Sequence, residues 1–96
     1  MIEYFYNAIK ATAGEEIAIA AKITDETGKQ ACEACHLNLY DNDGNTIATA
    51  EGVLYNGEWQ FVLPAEKTTN LTGRYWYCIC DEEHLKLNFK QPIYLV

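Results

Sequence analysis

The sequence contains no serine, a single arginine (Arg74), a single methionine (Met1) and two prolines. Each shortage excludes something. Without serine there is no serine nucleophile and no Ser-His-Asp arrangement. With methionine only at position 1, no thioether is placed to ligate haem iron. With a single arginine, an arginine-built clamp for phosphate or carboxylate is not expected. Lysine and arginine together number 7 against 14 acidic residues, for a formal net charge of −7. That balance argues against nucleic acid and anionic membrane as partners. No apolar run approaches the roughly 20 residues that a membrane helix needs. Met1-Ile2-Glu3-Tyr4 has neither the basic start nor the long apolar stretch of a signal peptide, so export by that route is not expected.

What the sequence does contain is apolar surface arranged in alternation. Hydrophobic residues make up 49% of the 96 residues and aromatic residues 12%, which suits one domain with one core (residues 1–96) and not a disordered chain. Seven segments alternate apolar and polar with period two: Ile2 to Ala8, Glu15 to Ile23, Glu33 to Tyr40, Thr46 to Ala50, Glu58 to Leu63, Gly73 to Cys80, and Leu85 to about Tyr94. Period two means strands with one buried face. Ile17, Ile19, Ile23, Leu37, Leu39, Trp59, Phe61, Tyr75, Tyr77, Ile79, Leu87 and Phe89 are the expected core. Asp25-Glu26-Thr27-Gly28, Asp41-Asn42-Asp43-Gly44 and Asn56-Gly57 read as turns, because Asn, Asp and Gly tolerate positive φ. Gly52 to Tyr55 either extends the fourth strand or pairs with the fifth. Pro64 to Lys67 is long enough for one helical turn. About seven antiparallel strands at this spacing predict an all-β sandwich.

The most specific local string is Leu71-Thr72-Gly73-Arg74-Tyr75-Trp76-Tyr77. It resembles the tyrosine corner of immunoglobulin-like sandwiches, in which a tyrosine hydroxyl bonds back to the loop before it. Tyr75 would take that role, and Tyr77 would fill the inward position that a cysteine holds in antibody domains. Ile2-Glu3-Tyr4, Ala13-Gly14-Glu15, Asp43-Gly44-Asn45 and Gly57-Glu58-Trp59-Gln60-Phe61 extend the likeness. With the corner they resemble the small immunoglobulin-like proteins of tailed bacteriophages and prophages. That resemblance implies a non-enzymatic virion component: a head decoration, a baseplate or tail part, or a receptor-facing module. It would be made in the bacterial cytoplasm and then assembled into the particle, touching copies of itself or other virion proteins. No catalytic residues and no cofactor come with it. Tyr75, Tyr77 and Trp59 are its expected structural residues.

The four cysteines depart from that pattern. Cys32-Glu33-Ala34-Cys35-His36 matches the c-type haem attachment string, but it sits at the start of a strand and no axial methionine exists. Zinc has ligand types available in Cys32, Cys35, Cys78, Cys80, His36 and His84. Three extended residues span ~10 Å, so Cys32 and Cys35 converge only if the chain turns between them. Cys35 shares its phase with Leu37 and Leu39, which places it in the core. Cys78 and Cys80 share theirs with Trp76, which places them outward beside His36 on a neighbouring strand. No metal is expected; if one bound, Cys32, His36, Cys78 and Cys80 are the candidates. The expected state of the cysteines is the thiol, with a Cys32–Cys80 or Cys32–Cys78 bridge left open. Asp81, Glu82 and Glu83 follow Cys80 and oppose thiolate formation, so a catalytic cysteine is not expected.

Interaction residues come last. Asp41 to Gly44 lacks the spacing of a calcium loop and reads as a hairpin. Tyr40 and Trp76 fall outward on neighbouring strands, as cross-strand partners or as a stacking platform for a glycan. Tyr4 and Tyr6 on the first strand and Tyr94 on the last complete the candidate contact surface. The first strand is aromatic and lightly charged, Ile93 to Val96 carries no charged side chain, and exposed edges invite pairing, so at least one of the two is expected to contact another protein.

Overall fold

The computed structural model describes residues 2–4, 9–24, 27–29, 32–82 and 90–96, with the backbone alone for residues 2–4, 9 and 10. In chain order these form β1 (Ile2–Tyr4), β2 (Ile9–Ala11), β3 (Ile17–Ile23), β4 (Cys35–Tyr40), β5 (Thr46–Tyr55), β6 (Glu58–Leu63), α1 (Ala65–Thr68), β7 (Gly73–Asp81) and β8 (Gln91–Leu95). The strands hydrogen-bond in the order β1-β3-β6-β5-β4-β7-β8-β2. That ladder folds over at β5. Thr46 to Glu51 pair with β4, whereas Gly52 to Tyr55 pair with β6. One sheet is therefore β1, β3, β6 and the second half of β5. The other is the first half of β5 followed by β4, β7, β8 and β2.

Alternation fills the space between the sheets. Ile17, Ile19, Ala21 and Ile23 point inward from β3, and Trp59, Phe61 and Leu63 from β6. They meet Leu37, Leu39, Tyr77, Ile79, Ile93 and Leu95 of the facing sheet in one cluster. Each such side chain removed from water contributes about 1.5–3 kcal/mol before the cost of ordering the chain. On β5 the inward positions shrink from Ala48 and Ala50 to Gly52. A Cβ on Gly52 would stand 2.9 Å from the Cys35 carbonyl oxygen and 2.9 Å from each of the Phe61 and Trp59 rings. Space, not a left-handed backbone, requires glycine there. The next turn is the converse case: Asn56 (φ 51°) and Gly57 (φ 79°) both adopt positive φ, which suits a two-residue hairpin between β5 and β6.

The opposite side of the sandwich is also laced. β1 pairs antiparallel with β3, while β2 pairs parallel with β8 in the other sheet. Val96 extends that contact, donating its N–H to Ala11 O (3.0 Å) and accepting from Ala13 N–H (2.9 Å). Past β6, α1 is tied down by Thr68, which is fully buried. Its hydroxyl accepts from Gly14 N–H (3.0 Å) and shares its proton between the carbonyls of Glu15 (3.0 Å) and Ala65 (3.1 Å). The Tyr75 hydroxyl accepts from Thr72 N–H at 3.3 Å, the backward bond of a tyrosine corner.

Structure and sequence pattern differ in places that have physical causes. Of the expected first strand, Ile2 to Ala8, β1 (Ile2–Tyr4) is described and residues 5–8 lie outside the described residues; the partner of β8 is a further strand, Ile9–Ala11. That partner runs parallel, so the sandwich is not wholly antiparallel. Gly52 to Tyr55 realises both alternatives at once, as continuation of one strand and partner of the next. Tyr75 is half-buried, because its hydroxyl must reach the loop. The final strand is not an edge: β8 lies between β7 and β2, with Ile93 and Leu95 in the core. The expected inward residues Leu85, Leu87 and Phe89 lie outside the described residues.

Gly52→Ala is expected to destabilise the fold by about 1–3 kcal/mol in chemical denaturation, because a backbone carbonyl and two packed rings must give way. Thr68→Val is expected to lower stability by about 1–3 kcal/mol by stranding the Gly14 N–H. Thr69→Val, which removes an exposed bond to Ala65 O, should stay within about 0.5 kcal/mol of the parent.

Candidate functional site

The outer face of the second sheet gathers most of the polar and aromatic residues singled out in the sequence. Across β4 and β7, His36 stands opposite Cys80, Asn38 opposite Cys78 and Tyr40 opposite Trp76. The last row continues onto β8, where Pro92 faces Trp76, and in the next row Tyr94 faces Arg74. Period two brings them together, since all share the parity opposite to the core positions.

Asn38 organises the middle of this face. Its Oδ1 accepts from Thr49 Oγ1 (2.8 Å), and its Nδ2 donates to the Tyr40 hydroxyl (3.2 Å) and toward Cys80 Sγ (3.6 Å). His36, Cys78 and Cys80 are buried, with Cys78 and Cys80 only 1% and 2% exposed. Both cysteines thus lie on the outer face of the sheet, as their phase with Trp76 implies, yet neither is accessible there. A thiol ends one bond beyond Cβ, below the level of neighbouring His36, Asn38, Tyr40 and Trp76.

Trp76 is held from three sides. Its Nε1–H donates to Asn42 Oδ1 (3.1 Å), and Asn42 Nδ2 donates to Arg74 O (3.1 Å). The Arg74 guanidinium lies 5.0 Å from the ring centroid and the Lys90 ammonium 4.5 Å. Each such contact contributes about 0.5–1 kcal/mol at an exposed site. A sugar stacking on this indole would meet a ring already engaged by two cations. Asn42 is aimed by the turn that carries it. Asp41 Oδ1 accepts from the N–H groups of Asp43 and Asn45, both at 2.9 Å, and Oδ2 accepts from Asn45 Nδ2 at 3.1 Å. Both carboxylate oxygens are thereby turned into the hairpin.

The candidate metal ligands do not assemble. Among the described residues no group of three or more His, Cys, Asp or Glu is arranged to hold a metal ion. Cys32 and Cys35 part from the other two cysteines. The chain bends at Glu33, between Cys32 and Cys35, with no glycine to announce it. Burial pushes the Cys35 thiol up to about 12, with the neighbouring Cys32 adding to it. Partial burial raises Cys32 as well. Both shifts lead away from the thiolate that a nucleophilic mechanism requires.

Of the remaining contact candidates, Tyr94 is exposed, while Tyr40 and Trp76 are half-buried. Tyr4 is placed by its backbone alone, opposite Ala21. Tyr6 and His84 lie outside the described residues. Sequence reasoning missed Arg74, Lys90, Pro92, Asn38 and Asn42. Arg74 shares the phase of Trp76, which was legible; the reach of Asn42 across 34 positions was not.

No family model matches the sequence, and no curated protein does. Solved structures do resemble the fold. The filamin domain of Lin-41 superimposes with a TM-score of 0.71 at 13% identity, covering 99% of this chain and 91% of that one. A part of Escherichia coli alpha-2-macroglobulin in its native conformation gives a TM-score of 0.68 at 16% identity. Salmonella alpha-2-macroglobulin reacted with methylamine gives the same values. In both, the match covers 96% of this chain but only 6% of the macroglobulin chain. At such identities the likeness shows the fold alone. It is an immunoglobulin-like β-sandwich.

The Asn45 backbone N–H is the main cause, and its side chain the next, of an Asp41 carboxyl held below the usual carboxylate range. Its folded value being the lower one, Asp41 contributes stability that is present above the ordinary aspartate range. That contribution is lost as pH falls through the lowered value. Carboxyl-carbon NMR should find Asp41 titrating below ordinary aspartates. Asn45→Ala, which removes only the side-chain donor, should move it part of the way back.

Proposed function

We propose that this chain is a non-enzymatic protein-interaction module and serves as a structural component of a tailed-phage particle, in the head decoration, baseplate or tail. The module reading is carried by one observation. Tyr40, Trp76 and Pro92 form a row across β4, β7 and β8, with Arg74, Tyr94 and Lys90 beside it. Rigid aromatic and arginine side chains are the residues on which binding energy concentrates in protein interfaces. Trp76 is fixed before any partner arrives, so less side-chain freedom is lost on association. Two cations clustered on a chain of net charge −7 favour a partner surface that is acidic. The virion assignment rests on the sequence resemblance carried by the Leu71 to Tyr77 corner and the strings around Ala13, Gly44 and Trp59. A partner that is another virion protein or a second copy of the chain, met after synthesis in the bacterial cytoplasm, follows from the same resemblance.

The test begins with particles. Tailed-phage particles purified from an induced lysate of the source bacterium should contain the chain by mass spectrometry. The purified protein should rebind particles made without it. Trp76→Ala with Arg74→Glu should weaken rebinding by about thirtyfold, equivalent to about 2 kcal/mol, with unchanged circular dichroism. Absence of the chain from such particles would overturn the virion reading. Full rebinding by the double variant would overturn the assignment of this face.

A further inference from the structure

We infer that the second half of β5 is a self-association edge, on which a second copy of the chain adds its own β5 antiparallel, with Leu54 facing Leu54 across a two-fold axis. Gly52 to Tyr55 pair with β6 on one side, whereas β4 takes only Thr46 to Glu51 of the same strand. Among the described residues no strand pairs with the other side of Gly52 to Tyr55. The two-residue turn at Asn56-Gly57 makes Tyr55 and Glu58 the hydrogen-bonded pair nearest the turn. Alternation then aims the Leu54 N–H and carbonyl away from β6, toward the open side. Backbone groups aimed in this way are a template for another strand.

Edges are ordinarily guarded by charge, and the outermost strands of the ladder follow that rule. β1 carries Glu3 and β2 carries Lys10. Gly52 to Tyr55 carry no charge. Instead Val53 is 63% exposed, Leu54 40% and Tyr55 64%, and Val62 on β6, diagonal to Val53, is exposed as well. Apolar side chains gathered at an unpaired edge mark a contact site.

The order of these side chains specifies the occupant. A two-fold axis perpendicular to the sheet sets residues of like phase opposite one another. Centred on Leu54, it pairs Val53 of each copy with Tyr55 of the other, twice. The Leu54 N–H of each copy donates to the Leu54 carbonyl of the other. Valine against tyrosine is a favourable cross-strand pair, and it falls where the backbones do not bond and side chains come closer. Charge points the same way. Two chains of net charge −7 repel, so copies meet where charge is absent, and Gly52 to Gly57 carry none. The edge with its side chains offers roughly 400 Å², half of what each partner gives to a standard interface, so the dimer is a weak one. This contact is separate from the Trp76 face and does not rest on the role proposed for it.

The experiment is analytical ultracentrifugation of the full chain, with reductant present, from about 10 μM to 1 mM. A monomer–dimer equilibrium is expected, and it should tighten as salt screens the repulsion between copies. Val53→Lys alone and Tyr55→Glu alone should each weaken association by about tenfold or more, with unchanged circular dichroism. Mixed together, these two variants should associate again. One Val53–Tyr55 pair is then intact, and the other becomes a lysine opposite a glutamate. Val96→Lys, at a site 63% exposed elsewhere on the surface, should leave the equilibrium unchanged. A chain that stays monomeric throughout that range, in low and high salt, would overturn the inference. So would a dimer that Val53→Lys leaves unaffected, or one that salt dissociates, since opposite charges would then hold it. Failure of the two mixed variants to pair would overturn the register.

Discussion

The fold depends on one close approach. β5 serves two sheets, and it crosses from one to the other at Gly52, where the Cys35 carbonyl and the rings of Trp59 and Phe61 leave no room for a methyl group. The crossing closes one side of the sandwich by covalent continuity. The other side is closed by β1 and β2 pairing in different sheets. A sandwich laced on both sides has fewer backbone groups left open for unwanted pairing.

Much of this was legible in the residues, and the reasons for the rest are specific. Period two identified β3 and β6, which bury one face and wet the other, and β4 and β7, whose inward positions keep that phase although their outer face is partly covered. The Leu71 to Tyr77 string located the corner because a tyrosine hydroxyl needs a fixed offset to reach its loop. The dwindling Ala48, Ala50 and Gly52 carried the strand crossing in plain form, as side chains reduced in step with shrinking space. What parity does not carry is depth on the outer face. Cys78 and Cys80 have outward phase and are buried all the same, because a short side chain between long ones is covered by them. Nor does spacing alone carry a bend: the chain turns at Glu33, between Cys32 and Cys35, where no residue with a turn preference signals it.

The candidate interaction face is built by the same economy. Its residues come from the outward positions of three strands, so the register that aligns the core also aligns Tyr40, Trp76 and Pro92. The hairpin at Asp41 adds the side chain that fixes the indole. A carboxylate that accepts three hydrogen bonds within its own turn fixes that turn, and so holds Asn42 in place. The path runs from a turn-forming aspartate, through a side-chain amide, to the orientation of a tryptophan 34 positions away. None of these links is an interaction that composition or charge counting reveals.

Charge then separates the two chemically distinctive places on the molecule. With 14 acidic residues against 7 basic ones, a positive patch requires that cations be concentrated, and Arg74 and Lys90 meet over one ring. The cysteine pair lies under the opposite sign, with Glu51, Asp81 and Glu82 around it. The two places are also linked through one strand. β4 begins at Cys35 and ends at Tyr40, so the residue beside the bend and the residue beside Trp76 are fixed by a single run of six positions. Rigidity in that strand makes both places well defined, and its pairing with β5 on one side and β7 on the other is what supplies the rigidity.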